Sequence, residues 1–160
     1  MEEAQFEDGQ ADDKFLNPTE ARKKAMDYLA RREHGRTELI KKVIKFGFDA
    51  ETADDAVAEL VEDNLQSDQR FVEAFVVSRI NQGKGPVKIR ADLRERDIAG
   101  GIIELALEEA DQDWYASARE VREKKFGPDL PADFNEKARQ MRFLQSRGFD
   151  TDQIQSAVSA

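Results

Sequence analysis

Few residues in this 160-residue chain have the chemistry of a catalytic group. His34 is the only imidazole, and there is no cysteine, so neither a multi-histidine nor a thiolate metal centre can be assembled. Carboxylates abound, but general acid–base work needs an environment that moves their pKa. No pair of them sits beside a glycine-rich turn, a nucleophile or a histidine pair that would perturb its pKa toward function. His34, followed by Gly35, reads as a turn residue and not as a base. Gly83-Lys84-Gly85-Pro86 resembles a phosphate loop, yet it lacks the full Walker spacing and Pro86 has no amide hydrogen to donate. It reads instead as a turn with Pro86 opening the next helix. The expectation is a binding protein that is not an enzyme, with no catalytic residue, no metal and no cofactor.

The chemistry present in quantity is positive charge, and its placement is uneven. The formal net charge is −9, which argues against an anionic partner only if the charge is evenly spread. Residues 21–47 hold nine Lys and Arg against three acids, whereas residues 48–69 hold eight acids and no base. Residues 70–97 hold seven bases and four acids, and 98–113 five acids and no base. Residues 114–148 hold eight bases and five acids, and the last twelve residues two acids only. Two readings stand. Each acidic stretch could neutralise its basic neighbours as a solvated surface. Alternatively the basic stretches could form a stripe complementary to a long, charged, repetitive partner such as a filament or a nucleic-acid backbone.

The elements that must position these charges are helices. Asn17-Pro18-Thr19-Glu20 marks a helix start, with Asn17 as N-cap, Pro18 at the first position and Glu20 at the positive end of the dipole. Apolar residues then recur at helical spacing: Ala21, Ala25, Tyr28 and Leu29; Leu39, Ile40 and Val43; Ala53, Ala56, Val57 and Leu60. Breaks fall at His34-Gly35 and at Gly47-Phe48-Asp49, where Asp49 can cap the following helix.

The pattern returns 50 residues later: Ala21 maps onto Phe71, Gly35 onto Gly85, Leu39 onto Ile89, Val43 onto Leu93, Phe48 onto Ile98 and Val57 onto Leu107. A shift of 51 carries it to Leu144, Phe149, Ile154, Ala157 and Val158. Three units of three helices account for the period. The third is interrupted over residues 126–134 by a turn carrying two prolines, which reads as a tolerated loop insertion. The fold expected is all-α, an elongated tandem array of three three-helix repeats with helix-turn-helix-like proportions. Its expected divisions are an acidic disordered tail over 1–16, then repeats over 17–66, 67–112 and 113–160. The N-terminus lacks the basic start and apolar stretch of a secretory signal, and no apolar run approaches membrane-spanning length. A cytoplasmic protein, with no membrane association, is the expectation.

Three motifs carry a family resemblance. They are Ala25-x-x-x-Leu29-x-Arg31-Arg32-Glu33-His34-x-Arg36-x-Glu38-Leu39, then Arg79-x-x-x-Gly83-x-Gly85-Pro86-x-x-Ile89-x-x-x-Leu93, then Lys124-Lys125-Phe126-Gly127 with Arg147-Gly148-Phe149. In this order and spacing the chain resembles the RecX family, regulators of the RecA recombinase, over roughly residues 20–158. The resemblance implies a tandem three-helix-repeat protein that binds the RecA filament on single-stranded DNA along its helical groove. It also implies limits on filament extension, ATPase, strand exchange and co-protease activity, in recombination and the SOS response. Two departures stand out: Gly35 where the family often has a serine cap, and Arg96-Asp97-Ile98 in place of the commoner glycine before the apolar residue.

Expected contact residues are Arg31, Arg32, Arg36 and Lys42 in the first unit, Arg79, Lys84, Lys88 and Arg90 in the second, and Lys124, Lys125, Arg139 and Arg142 in the third. Leu39, Phe48, Gly85, Pro86, Ile89, Leu93, Ile98 and Phe149 are the expected structural positions. The expected partner is the RecA filament, bound by a monomer. Non-specific binding to single- or double-stranded DNA is the alternative, since no basic block carries the Asn, Gln and Arg that base readout demands.

Overall fold

Helix caps set the boundaries of the first repeat. Asn17 Oδ1 accepts the Thr19 and Glu20 amides at 2.9 and 3.4 Å, satisfying orphan donors at the start of α1 (Pro18–Arg31). Helix α2 (Arg36–Phe46) begins at Gly35, which offers no capping side chain, and ends at Gly47, whose φ of +139° suits glycine. Asp49 caps α3 (Ala50–Glu62) by accepting the Thr52 amide at 3.2 Å. Packed together, the three helices bury Ala21, Ala25, Leu39, Val43, Phe48, Ala53, Ala56, Val57 and Leu60. The alanines let the helix axes approach, while each fully buried Leu or Val contributes about 1.5–3 kcal/mol.

The computed structural model describes residues 13–160. Residues 1–12, the bulk of the expected acidic tail, lie outside the described residues. Helical structure is already present ahead of the Asn17 cap. Residues 13–15 make a helical turn, and Phe15 meets Phe48 edge-on at 5.3 Å between ring centroids. The Asp49 amide donates to the Phe15 carbonyl at 3.0 Å. An aromatic with only Leu16 beside it among polar residues has no periodicity to betray it, yet Phe15 packs against this core.

The second repeat follows the first at the expected offset. Its helices are α4 (Asp68–Asn81), α5 (Pro86–Glu95) and α6 (Gly100–Ala110), starting 50 residues after α1, α2 and α3. Pro86 opens α5 as its first residue, so the Gly83–Pro86 tetrapeptide is a helix-entry turn. Where the first repeat uses Gly47, the second uses Asp97 at φ +58°, a conformation costly for a residue with a Cβ.

In the third repeat, α7 (Trp114–Phe126) is capped by Asp113, α8 (Phe134–Ser146) by Asp133 and α9 (Thr151–Val158) by the reciprocal Asp150–Gln153 capping box. The two-proline turn between α7 and α8 is fastened from beneath. Buried Arg122 donates to the Asp129 carbonyl at 2.9 Å and the Pro128 carbonyl at 3.4 Å.

These helices form two compact units, one ending at Phe71 and the other running Val72–Ala160. Repeats two and three share the second, and a backbone clasp fastens them. The Gly85 amide donates to the Arg147 carbonyl at 2.8 Å, and the Val87 amide to the Gly148 carbonyl at 2.9 Å. A Cβ on Gly85 would collide with the Gly148 backbone, and one on Gly148 with Lys88. The contact therefore needs both glycines. All eight positions expected to be structural are buried.

Candidate partner-binding site

In the first unit, the expected contact residues surround the link between α1 and α2. His34 is 1% exposed, with Nδ1 3.0 Å from the Arg32 carbonyl and Nε2 3.0 Å from Lys42 Nζ. A carbonyl only accepts, so Nδ1 carries the hydrogen, and the Nε2 lone pair receives the lysine ammonium. The ring is neutral. Burial holds its pKa below the ordinary 6.5, and the Arg32 and Lys42 charges add to this against the bond to the Arg32 carbonyl. Burial also lowers Lys42, aided by Arg32 and Arg31. Gln66 Nε2 donates to the His34 carbonyl at 3.0 Å, and the Arg36 amide to Asp68 Oδ1 at 2.8 Å, so the start of α4 fixes the link.

Arg32 reaches Glu38 at 3.0 Å, while Arg31 and the Arg36 side chain are exposed. Burial raises the Glu38 pKa, but the Arg32 hydrogen bond and nearby positive charges outweigh it and hold it low. Pairing of this exposed kind contributes about 0–1 kcal/mol, too little to withhold Arg32 from a partner.

In the second unit the positions differ in kind. Arg79 lies over the Phe75 ring at 4.1 Å, and Arg90 pairs with Glu104 of α6 at 2.8 Å. The hydrogen bond between them lowers the Glu104 pKa and raises that of Arg90. Lys84, Lys88 and Arg79 converge with Arg147: burial first, then these three neighbouring cations, hold the Lys84 ammonium below its usual value. Arg147 was not among the expected contacts. It lies 5.2 Å from the centroid of the Phe143 ring, and Lys125 lies 5.6 Å from the same centroid.

Lys124, Lys125 and Arg147 line a groove of about 770 Å³ formed by the end of α4, α7 and α8, with Glu120 as its acid. Clustered like charges repel, and an anionic ligand relieves that repulsion. Arg139 pairs with Glu136 at 3.2 Å and Arg142 is exposed on α8; both lie away from this groove's lining.

The neutralisation reading finds support at two places, Arg90–Glu104 and Arg22–Asp63 at 2.9 Å. Arg32–Glu38 and Arg139–Glu136 are local pairs, whereas Arg70 of α4 reaches back 37 positions to Glu33. Among the described residues, no group of three or more His, Cys, Asp or Glu is placed to hold a metal ion. No helix among them is long and apolar enough to cross a membrane.

Comparison with known proteins places these features in a family. Residues 21–60, 67–107 and 111–158 match models described as the first, second and third three-helix domains of RecX. The chain is 46% identical over 136 residues to a protein named Regulatory protein RecX from Halorhodospira halophila, covering 85% of this chain and 84% of that one. It is 44% identical over 138 residues to the protein of the same name from Ectopseudomonas mendocina, covering 86% and 92%. In fold, it is similar to the crystal structure of RecX from Lactobacillus salivarius, with a TM-score of 0.71 at 22% identity over 88% of this chain and 94% of that one.

Proposed function

This chain belongs to the RecX family, and from that premise we propose that it binds the RecA filament on single-stranded DNA and restrains it. The observation that carries this reading is the ordered match of all three repeats, with relatives named as regulatory proteins along nearly their whole length. The protein acts by occupancy and not by catalysis. Seated in the filament's helical groove, it limits extension and lowers ATP hydrolysis, strand exchange and co-protease activity. The cations on the first two helices of each repeat and on the links between them supply the contacts: Arg31, Arg32 and Arg36 in the first, Arg79, Lys84 and Lys88 in the second, Lys124, Lys125, Arg139 and Arg142 in the third. The chain works in the cytoplasm as a monomer.

The test is RecA-catalysed ATP hydrolysis on single-stranded DNA with purified protein added. A falling rate with rising protein is expected, whereas an unchanged rate at severalfold excess over filament ends contradicts the reading. A second reading, direct binding to nucleic acid, is favoured by the cations around Lys84 and the adjoining groove at Lys124, Lys125 and Arg147. It predicts binding to naked DNA whose affinity falls with salt at a slope of about 0.7–0.9 per phosphate contacted.

A further inference from the structure

A second recess in the Val72–Ala160 unit has a different character from the cationic groove. It holds about 750 Å³ between α8 and α9, beside the first turn of α5. Val87, Met141 and Ile154 give it an apolar lining, and Phe134 stands at its edge. Phe134 is 82% exposed and Val87 50%. Large apolar side chains scattered singly over a surface mean little, but several around one recess mark an interaction surface.

The walls are already in place. The Val87 amide is held by the Gly148 carbonyl at 2.9 Å, and the Asp150–Gln153 capping box sets the start of α9. A partner therefore meets a preformed site and incurs little ordering cost there.

Charge narrows the occupant. Lys137 and Arg142 flank the apolar lining, and no ion pair among the described residues engages either. Asp150 also lines the recess, but its carboxylate accepts the Gln153 amide at 2.8 Å. A phosphate backbone would use the two cations and leave Val87 and Phe134 in water. A protein segment carrying a hydrophobic side chain between carboxylates satisfies both features at once.

We propose that this recess docks a short segment of the protein partner in which a hydrophobic side chain is flanked by acids. The inference rests on the RecA-filament reading and adds that the third repeat grips protein here and not nucleic acid. Its test titrates the full chain against RecA filaments on single-stranded DNA and, separately, against the same naked oligonucleotide. Phe134→Ser and Arg142→Glu change exposed side chains, and thermal unfolding verifies that both variants remain folded.

Each variant is expected to weaken filament binding about tenfold, as a truncated interface anchor does. Phe134→Ser should leave naked-DNA binding unchanged. Wild-type affinity for the filament in both variants overturns the docking site and leaves the family reading standing. Equal loss by Phe134→Ser on naked DNA assigns the recess to nucleic acid and also overturns it. A wild-type chain that fails to bind filaments removes both.

Discussion

His34 keeps its Nδ1 hydrogen on the Arg32 carbonyl and its Nε2 lone pair on Lys42, so a second proton would face an ammonium 3.0 Å away. The folded pKa therefore lies below 6.5, the value the unfolded chain keeps. Between the two values the unfolded state holds a proton that the folded state lacks. This stability contribution is complete above pH 6.5 and is lost as pH falls toward the folded pKa. Chemical denaturation at a series of pH values should show the trend in the first unit. His34→Gln should flatten that component; an unaltered slope in the variant would assign it to other groups. Of this arrangement the sequence shows a histidine before a glycine and no more, because its partners Lys42 and Gln66 arrive from other elements. Phe48 and Phe149 were legible, since each follows a helix break at a repeated position, and both are 3% exposed. Truncating either to alanine is expected to cost about 3–5 kcal/mol of stability. Thermal melts unmoved by both changes would mean that these rings carry no core.

At the scale of elements, the 50-residue period predicts where α4, α5 and α6 begin, because caps and apolar spacing are local and survive changes of residue type. What joins the elements was not legible. Gly85 and Gly148 each read as ordinary turn glycines, yet neither has room for a Cβ, which would meet the Gly148 backbone in the first case and Lys88 in the second. Gly85→Ala forces backbone apart and is expected to destabilise the second unit by about 1–3 kcal/mol, as overpacking does. Gly148→Ala adds the strain of φ +93°. Circular dichroism melts would check both; a Gly85→Ala variant as stable as the parent would contradict the clasp. Asp97 offers the opposite experiment. The departure Arg96-Asp97-Ile98 places a non-glycine residue at φ +58°, so Asp97→Gly should stabilise by about 0.5–1 kcal/mol, read as a raised Tm. Arg122 escaped the sequence reading for a related reason, since its burial depends on an inserted loop folding back over it.

At the scale of the whole molecule, an acidic chain keeps its cations off the third helices, since α3, α6 and α9 carry none of them. The expected contact residues lie on both compact units, at the α1–α2 link of one and around the clasp, α7 and α8 of the other. Charge segregation was legible from the sequence because it is one-dimensional. Convergence of Lys84 with Arg147 was not, since 63 positions part them in the chain and only the clasp brings them together. The most direct test of the account is electron cryomicroscopy of the full chain on RecA filaments assembled on single-stranded DNA. Helical density repeating along the filament groove is expected, with both units seated against RecA and their cationic helices toward it. Filaments bare of added density at saturating protein, or density confined to uncoated DNA, would contradict it.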